Sequence, residues 1–512
     1  MLLKDMILEN AIRYPNKTAV VIDGTMCTFS QLNSRANSLT NALLDMGTGK
    51  GDKVAILLDN CLPYVEICCA SVKGGMVVIP LNPGMDKGNL SFIINDTEAN
   101  TLFLGENYTD LYNSISEEIR GVRNIIVVGT PSGGIRNYEE LVSQYPPEEP
   151  EVETDEHDIR AIAFSSGTTG LPKGGVVIEK NWLSSSQNAV IIYHLNHDDI
   201  MLLPVPFFWM AGMIFTSFYC GCTTVITREF DPKTILGTIE RESVTTSLMP
   251  PFYITSFLEY PQLKEYNLSS LSHMVLVGAP MPAEVLKQAA EVFGNIFTHT
   301  YGNLEGGWLT FLPPEEMIFE GPPEKVKRLQ SCGKHGKGAI NAEIKVVDEN
   351  DNDILPGQIG EVIAKGDSII KGYWKLPQAT SEIFRGGYLY TGDMATVDEE
   401  GYVYLIGRKK DVISSGNNSI YPTEIEEVLH RHPAVLEATV IGIPDEELGE
   451  IVKAVIVLGE GHKATEEEIT DFCRQYLASY AIPGAVEFID QLPRTASGKI
   501  LKRELKERHY EV

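Results

Sequence analysis

Positive charge is the first property that this sequence has little of. It contains 42 Lys and Arg against 70 Asp and Glu, which gives a formal net charge of −28 at pH 7. Nucleic acids and anionic membrane surfaces are bound through clusters of positive charge. We therefore predict no nucleic-acid partner. A small anionic ligand needs only a few local cations and is compatible with this composition.

Cysteine is also scarce and irregularly placed. The eight cysteines show neither paired CxxC spacing nor the density of a disulfide scaffold. The N-terminus leads directly into an amphipathic helix pattern and lacks the long apolar core of a signal peptide. These absences predict a cytoplasmic protein with reduced thiols.

A continuous membrane-spanning run is absent too. Residues 201–227 carry no charged side chain, so a span would be expected here if anywhere. A helix that crosses a bilayer needs about 20 continuous apolar residues. This segment is interrupted by prolines and glycines at Pro204, Pro206, Gly212 and Gly221. We predict a turn, a buried helix and a strand, and no membrane span.

Helix and strand patterns alternate over the first half of the chain. Apolar runs such as residues 54–58 and 76–81 predict strands that are covered on both faces, and helical periodicity separates them. Such alternation is typical of an α/β fold with a largely parallel sheet. Residues 145–150 are rich in proline and acid, and we interpret them as a linker to a second α/β unit.

The second half becomes richer in strands. Residues 342–347 and 360–364 alternate apolar and polar side chains, which predicts a small β subdomain. A compact α/β pattern of about 100 residues follows, which is the size of a small domain. We predict an α/β protein with a large N-terminal domain, residues 1–407, made of two α/β sheet subdomains and the β subdomain. A small C-terminal α/β domain, residues 408–512, completes the chain.

A polar loop follows the apolar segment 159–164. Within ten residues it carries four hydroxyl side chains, three glycines and one lysine, namely Ser165, Ser166, Gly167, Thr168, Thr169, Gly170, Lys173 and Gly174. Glycines let backbone N–H groups approach an oxyanion, hydroxyls add donors, and the lysine adds positive charge. The loop predicts a polyphosphate site, although Pro172 before the lysine departs from the Walker pattern. A mobile surface connector is the alternative interpretation.

Two side chains in residues 298–305 have chemistry that suits a nucleotide. Tyr301 beside Gly302 can present a ring face to a flat heterocycle, and Glu305 is an oxygen ligand suited to Mg²⁺. The alternative is a packed tyrosine and a solvated acid. Spacing alone favours that alternative.

Three later residues could also contact a nucleotide, but each is only a weak signal of function when taken alone. Asp393 offers two acceptors for a ribose diol, and Arg408 offers donors to ribose or phosphate oxygens. Lys499 lies on a Ser-Gly turn before a predicted helix. A solvated basic tail is the alternative interpretation of that lysine.

In this order, the motifs resemble those of the adenylate-forming superfamily, which includes acyl-CoA synthetases, peptide-synthetase adenylation domains and luciferases. The resemblance runs across nearly the whole chain and is closest to the AMP-forming acyl-CoA synthetases. It implies a phosphate loop at residues 165–170 with Lys173, a magnesium ligand at Glu305, a catalytic Lys499 and an interdomain hinge at Lys410. It also implies a set of nucleotide contacts: Gly278, Ala279, Pro280, Thr300, Tyr301, Gly302, Asp393 and Arg408.

The same resemblance implies an activity. The chain is expected to be an acid:CoA ligase that uses ATP, Mg²⁺ and CoA to activate a small-molecule carboxylic acid through an acyl-adenylate. The mobile C-terminal domain is expected to rotate about Lys410 between the two steps, in a monomer or homodimer. Trp209, Gly278 and Tyr301 are candidates for the acid pocket, and the aromatic pair favours an aryl or medium-length acid over a long chain.

Several positions depart from the pattern of the superfamily. Leu304 stands where a threonine usually precedes the magnesium ligand, and Glu179 and Trp209 stand where histidines are common. Residues 416–419 differ from the usual Gly-Gly-Glu-Asn near the approach of the thiol. Two alternatives therefore stay open: an adenylating enzyme that loads a carrier protein, and a non-catalytic nucleotide-binding homologue.

Overall fold

The computed structural model describes residues 1–131, 135–164, 171–337, 341–416, 418–445, 447–459, 461–494 and 500–507. The strands in these ranges are β1 (Thr18–Ile22), β2 (Thr25–Thr28), β3 (Lys53–Leu57), β4 (Val77–Pro80), β5 (Thr101–Gly105), β6 (Asn124–Val128), β7 (Arg136–Asn137), β8 (Ile159–Phe164), β9 (Gly174–Ile178), β10 (Ile200–Leu203), β11 (Thr223–Ile226), β12 (Thr246–Met249), β13 (His273–Leu276), β14 (Phe297–Asn303), β15 (Gly307–Leu312), β16 (Gly336–Lys337), β17 (Ala342–Val347), β18 (Ile359–Gly366), β19 (Phe384–Arg385), β20 (Tyr388–Val397), β21 (Val403–Arg408), β22 (Ile413–Ser415), β23 (Asn418–Ile420), β24 (Val435–Asp445), β25 (Gly449–Leu458) and β26 (Ala485–Phe488).

The helices of the same ranges are α1 (Leu3–Arg13), α2 (Phe29–Asp45), α3 (Leu62–Lys73), α4 (Lys87–Asp96), α5 (Thr109–Ile115), α6 (Tyr138–Gln144), α7 (Glu179–Ile192), α8 (Phe207–Met210), α9 (Ile214–Cys220), α10 (Pro232–Glu242), α11 (Pro251–Glu259), α12 (Ala283–Phe293), α13 (Pro323–Val326), α14 (Pro377–Ile383), α15 (Pro422–Leu429), α16 (Glu466–Arg474) and α17 (Lys502–Glu507). Short 3-10 helices lie at Glu106–Tyr108, Ala211–Met213, Leu263–Glu265, Pro314–Glu316, Lys327–Gln330, Lys409–Asp411 and Ser479–Ala481.

The first sheet has seven strands in the order β7-β6-β5-β3-β4-β8-β9. Neighbouring strands are parallel except β8 and β9, which are antiparallel. The central strands are buried on both faces, as with Ala55 and Ile56 on β3 and Val78 and Ile79 on β4. Parallel strands of this kind carry continuous apolar runs because helices cover both faces. The strands predicted at residues 54–58 and 76–81 are therefore confirmed.

The second sheet has eight strands in the order β15-β14-β13-β12-β10-β11-β1-β2. Its interior pairs are parallel, and the pairs at its two edges are antiparallel. The uncharged residues 201–227 form most of β10, helices α8 and α9, and β11. The buried helix and the final strand are as predicted, but the segment begins with a strand and its helical part is divided in two. In the described ranges no helix is long and apolar enough to cross a membrane. The carboxyl ends of β13 and β14 lead into the candidate site, which is the usual position of ligands in open α/β sheets.

The third sheet is antiparallel and has six strands, in the order β16-β17-β18-β20-β19 with β21 on β20. The fourth sheet has five strands in the order β23-β22-β25-β24, with β26 parallel to β25, and has its own apolar cluster around Ile425 and Val440. This architecture confirms the α/β fold with a large N-terminal domain and a small C-terminal one. The boundary between residues 407 and 408 stays a prediction.

The segment predicted as a linker is held against the N-terminal helices. Residues 145–158, here called the strap, connect α6 to β8. Its backbone carbonyl oxygens accept hydrogen bonds from side chains of Asn41 (to Pro146 and Glu148), Asn37 (to Pro147), Lys4 (to Val152) and Lys50 (to Glu153). The buried Lys73 of α3 forms an ion pair with Glu149 of the strap. The strap is therefore fixed by polar contacts despite its linker-like composition.

Candidate functional site

The turn after β13 brings two predicted pocket residues into contact. Gly278 has a φ of +89°, in the left-handed region that favours glycine. A Cβ atom at this position would lie 3.2 Å from Cη2 and 3.3 Å from Cζ2 of Trp209. The indole of Trp209 on α8 therefore packs directly against the glycine backbone. This contact limits the space beside the turn.

Three predicted nucleotide-binding side chains form one cluster, joined by a hydrogen bond and an ion pair. The Tyr301 hydroxyl donates to Oδ2 of Asp393 at 2.7 Å, and Nε of Arg408 lies 3.1 Å from Oδ1 of the same carboxylate. Tyr301 lies on β14, at a bulge in its pairing with β15. Asp393 and Arg408 are opposite each other across β20 and β21. The second and third sheets therefore meet at this carboxylate.

Burial sets the protonation state of Tyr301. Desolvation, and then the negative charge of Asp393, raise the pKa of Tyr301 well above its usual value. The phenol therefore remains a hydrogen-bond donor at neutral pH. Asp393 is only 8% exposed. Because a carboxylate has about four lone-pair positions, its two bonds leave acceptor capacity for a ribose hydroxyl.

Thr300 and Gly302 hold the backbone on either side of Tyr301. The Thr300 hydroxyl donates to the carbonyl oxygen of Leu276 at 2.6 Å, which ties β14 to the end of β13. A Cβ atom at Gly302 would lie 2.1 Å from the carbonyl oxygen of Gly307, so only glycine fits this close approach. Both residues thus fix the position of Tyr301. Their predicted contacts to a nucleotide stay predictions.

Glu305 is paired with a tyrosine that the sequence analysis missed. The hydroxyl of Tyr373 donates to Oε1 of Glu305 at 2.7 Å. Nζ of Lys173 lies 5.4 Å from the centre of the same tyrosine ring, within the range of a cation–π contact. Desolvation, and then the charge of Glu305, raise the pKa of Tyr373, so this phenol also stays a donor. The sequence signal that could have found it is the aromatic pair Tyr373-Trp374 between two lysines.

Backbone hydrogen bonds fix Tyr373 beside the strand that follows the polar loop. The N–H of Val176 donates to Gly372 O at 2.8 Å, and the N–H of Trp374 donates to Gly174 O at 2.7 Å. The N–H of Ile370 donates to Glu305 O at 2.9 Å. Residues 370–374 therefore connect β9 to Glu305. The arrangement brings Lys173 and Glu305, which are far apart in the sequence, to one place.

The single carboxylate at Glu305 suits Mg²⁺, which needs few protein ligands, better than a metal that is held entirely by protein side chains. In the described part of the chain, no group of three or more His, Cys, Asp or Glu side chains could hold a metal ion. Mg²⁺ usually takes one or two carboxylates and completes its octahedron with water and substrate phosphates. One carboxylate and one lysine on either side of Tyr373 fit that mode. Glu305 would be the protein ligand.

The predicted hinge follows β21 directly. Lys409 Nζ lies 3.0 Å from Oε2 of Glu361 on β18, and both Lys409 and Arg408 pair with the third sheet. Lys410 lies in the 3-10 helix Lys409–Asp411. Burial, and then the positive charge of Arg408, lower the pKa of Lys410. Its role as a hinge stays a prediction.

Two departures from the superfamily pattern have different surroundings. Glu179 is fully buried, forms an ion pair with the buried Arg160, and accepts a hydrogen bond from the N–H of Leu3. It therefore joins α1, β8 and α7. Leu304 is half-buried, and its Cδ2 lies 3.5 Å from where a Cβ on Gly175 would be. Leu304 thus packs on β9 just after the polar loop.

The remaining predicted residues give a mixed outcome. Ser165, Ser166, Gly167, Thr168, Thr169, Gly170 and Lys499 lie outside the described residues, so their roles stay predictions. Ala279 and Pro280 are exposed in the turn that follows Gly278. The structure brings Tyr301, Asp393 and Arg408 together in one cluster, and Lys173 and Glu305 in another around Tyr373. Trp209 and Gly278 form a separate contact, and Lys410 lies in the 3-10 helix after β21.

Two family models match most of the chain. The model described as AMP-binding enzyme matches residues 7–374, and the model described as AMP-binding enzyme C-terminal domain matches residues 424–499. Among curated proteins, a feruloyl-CoA synthase from Amycolatopsis sp is 31% identical, covering 96% of this chain and 96% of the relative. The long-chain-fatty-acid–CoA ligase FadD13 of Mycobacterium tuberculosis is 31% identical, covering 98% of each chain.

Solved structures have the same overall architecture. The anthranilate CoA ligase AuaEII in complex with anthranoyl-AMP has a TM-score of 0.89 at 27% identity, covering 99% of this chain and 97% of that one. The amide bond synthetase McbA from Marinactinospora thermotolerans has a TM-score of 0.89 at 26% identity, covering 99% of each chain. The fold is therefore shared with structures named as a CoA ligase and as an amide bond synthetase.

Proposed function

The chain belongs to the AMP-binding enzyme family of adenylate-forming enzymes, and we propose that it is an AMP-forming acid:CoA ligase. It would activate a carboxylic acid with ATP as an acyl-adenylate and then transfer the acyl group to CoA. The observation that carries the proposal is the pair of clusters at the carboxyl ends of β13 and β14. One cluster offers ribose contacts, and the other offers a carboxylate and a lysine for metal-bound phosphate. Relatives named as CoA synthases or ligases over nearly the whole chain support the choice of CoA.

In the first step, an oxygen of the acid attacks the α-phosphate of ATP, and the bond to pyrophosphate breaks. Negative charge builds up on the phosphate oxygens and must be offset by fixed positive groups. Lys173, together with the hydroxyls of residues 165–170, would hold the leaving pyrophosphate. Lys499 would bridge the carboxylate and the α-phosphate. Magnesium, held through Glu305, would supply further neutralisation of the phosphate charge.

The nucleoside would be held by the second and third sheets together. Asp393 would accept the ribose hydroxyls with its remaining lone pairs, while Tyr301 and Arg408 keep its carboxylate in place. Tyr301 would also present its ring beside the adenine, along the turn formed by Gly278, Ala279 and Pro280. The hydrogen bonds therefore orient the ribose before chemistry begins, which lowers the entropic part of the barrier.

In the second step, the thiol of CoA attacks the carbonyl carbon of the acyl-adenylate, the carbon–sulfur bond forms, and AMP leaves. One lysine on a small domain cannot occupy the site in both steps. We propose that residues 408–512 rotate about Lys410 so that Lys499 leaves and the thiol enters. Magnesium and CoA use, the domain boundary and a cytoplasmic location are all parts of this proposal.

The acid pocket would be bounded by Trp209, Gly278 and Tyr301. Trp209 packs on the backbone of Gly278 and fills space along the turn. A pocket limited in this way suits an aryl or medium-length acid better than a long chain. Its aromatic side chains would also stack on an aryl group.

A screen of carboxylic acids tests the proposal. Purified protein is incubated with ATP, MgCl₂, CoA and one acid at a time, and AMP and acyl-CoA are quantified. We expect acid-dependent AMP release with acyl-CoA in equal amount, strongest for aryl or medium-length acids. Acyl transfer to a carrier protein but not to CoA would favour the carrier-loading alternative. If no acid in the screen supports pyrophosphate exchange, the result would favour the non-catalytic nucleotide-binding alternative.

A further inference from the structure

Tyr373 contacts both charged groups of the second cluster. Its hydroxyl donates to Oε1 of Glu305 at 2.7 Å, and its ring lies 5.4 Å from Nζ of Lys173. We propose that Tyr373 is a positioning residue that orients the Glu305 carboxylate for the divalent cation and sets its distance from Lys173. This inference rests on the proposed function, because it concerns the metal of that same site.

The backbone around Tyr373 leaves the ring little freedom to move. The Tyr373 N–H donates to Oγ1 of Thr380 at 2.8 Å, and its neighbours on both sides are bonded to β9. Gly372 has a φ of +137°, and a Cβ there would lie 2.4 Å from Cγ2 of Thr380. Glycine is therefore required for this close approach. Because the backbone is fixed at these points, the phenol is presented to Glu305 in one position.

The hydrogen bond occupies only one oxygen of the carboxylate. A bond to Oε1 stops the carboxylate from rotating and leaves Oε2 for a cation. Groups that orient a metal ligand in this way commonly change metal affinity by about 10- to 100-fold when removed. The ring of Tyr373 makes an independent contribution, because its cation–π contact with Lys173 does not need the hydroxyl. Removing the hydroxyl and removing the ring should therefore have different effects.

Tyr388 provides a matched control within the same chain. Its hydroxyl donates to Oε1 of Glu343 at 2.9 Å, and Nζ of Lys345 lies 5.4 Å from its ring centre. This is the same Tyr-Glu-Lys arrangement, placed on the third sheet between β17 and β20. No predicted site residue belongs to it. Tyr388→Phe therefore removes an equivalent tyrosine–glutamate hydrogen bond, but at a position where we expect no change in Mg²⁺ binding.

The experiment measures ATP binding by isothermal titration calorimetry, with EDTA and over a series of MgCl₂ concentrations. For Tyr373→Phe we expect unchanged ATP affinity in EDTA and about a 10-fold higher Mg²⁺ concentration for half-maximal tightening. Tyr388→Phe should match the wild type in both conditions. Tyr373→Leu, which also loses the ring, should weaken ATP binding in EDTA as well. In turnover, Tyr373→Phe should be restored by high Mg²⁺ because only the metal contact is impaired.

The outcomes separate this inference from the proposed function. A Tyr373→Phe protein with wild-type Mg²⁺ dependence overturns the inference and leaves the ligase proposal intact. A wild-type ATP affinity that does not respond to Mg²⁺ overturns the inference as well. If the expected binding differences occur but no acid yields an acyl-adenylate, the inference stands and the proposed function fails.

Discussion

The strap and the hinge segment are two connections whose contacts contrast with their sequences. The strap, residues 145–158, is rich in proline and acid, yet five of its carbonyl groups accept hydrogen bonds from side chains. The hinge segment, residues 408–412, is basic and follows β21 without a break. The ion pairs of Arg408 and Lys409 are made by side chains that are 43% and 62% exposed.

The difference lies in what each segment would lose by moving. Moving the strap would break the ion pair between Lys73 and Glu149. The Lys73 side chain has no solvent exposure, so water could replace this partner only in part. Burial lowers the pKa of Lys73, as it also does for Lys410 in the hinge segment. Moving the hinge segment would break ion pairs whose cations, on Arg408 and Lys409, are solvated, although their carboxylate partners Asp393 and Glu361 are largely buried. Pairs with a well-solvated member are usually worth about 0–1 kcal/mol. The contacts therefore show that the strap is tied through a fully buried cation, whereas the hinge segment is tied through solvated ones.

We expect the largest effect on activity from a substitution of Lys499, near the C-terminal end of the domain that is proposed to rotate. Lys499→Ala should reduce acyl-adenylate formation by about 10²–10³-fold, the usual scale for losing one fixed group that stabilises a transition state. Conversion of supplied acyl-adenylate to acyl-CoA should fall much less. Both are measured separately, as pyrophosphate release and as acyl-CoA by mass spectrometry. Lys502→Ala is the matched control, and equal losses in both steps for Lys499→Ala would refute the assigned role.

The next effect tests the hinge itself. Lys410→Pro fixes φ near −65° at a position that would have to change its dihedral angles between the steps if it is the hinge. Because misplacement by about 1 Å can cost 10²-fold in rate, one half-reaction should fall by about that factor relative to the other. Lys410→Ala, which keeps backbone freedom, should perform both. A Lys410→Pro enzyme with a normal full cycle would remove this residue from the mechanism.

The third effect is on the strap and should appear in stability. Glu149→Ala leaves the buried ammonium of Lys73 without this partner, which should cost about 2 kcal/mol because water can partly replace it. The Glu149 side chain is 38% exposed, so some solvation is available. Urea unfolding should show a lower midpoint, while the ratio of the two half-reaction rates stays constant. Recovery of stability in Lys73→Met/Glu149→Ala would identify the lone charge as the cause, and an unchanged midpoint in Glu149→Ala would contradict a fixed strap.

The smallest effect sharpens the contrast. Lys409→Ala removes a 62% exposed lysine from its ion pair with Glu361 at 3.0 Å, and Glu361 keeps the hydrogen bond that it accepts from the N–H of Gly392. Its effect on stability should be under about 1 kcal/mol, well below that of Glu149→Ala in the same urea series. A loss as large as that of Glu149→Ala would mean that the hinge segment is as firmly held as the strap.

Sequence patterns predicted the fold well because burial leaves a periodic record. The apolar runs of β3 and β4, and the interruption of residues 201–227, each had one physical interpretation. The linker interpretation of the strap was incomplete, since its partners Asn37, Asn41 and Lys73 lie on helices distant in sequence. No local pattern records such contacts.

The candidate site was predicted in part for a related reason. Taken alone, Tyr301 was better explained as a packed tyrosine, and Asp393 and Arg408 were weak signals; only the resemblance grouped the three. The structure joins them through one carboxylate. Tyr373 was missed because its importance comes from Glu305 and Lys173, which meet it only after folding. Glu179 stands where histidine is common in the superfamily, and the structure shows that it forms a buried ion pair with Arg160.

The central claim is that one chain carries out two successive half-reactions on a carboxylic acid. Single-turnover quench-flow with the best acid from the screen tests this most directly, with enzyme in excess over ATP and CoA added after a delay. We predict that acyl-adenylate and pyrophosphate accumulate together before the addition. Acyl-CoA and AMP should then appear in equal amounts as the adenylate disappears. Formation of acyl-CoA without a preceding adenylate, or an adenylate that CoA does not consume, would contradict the account.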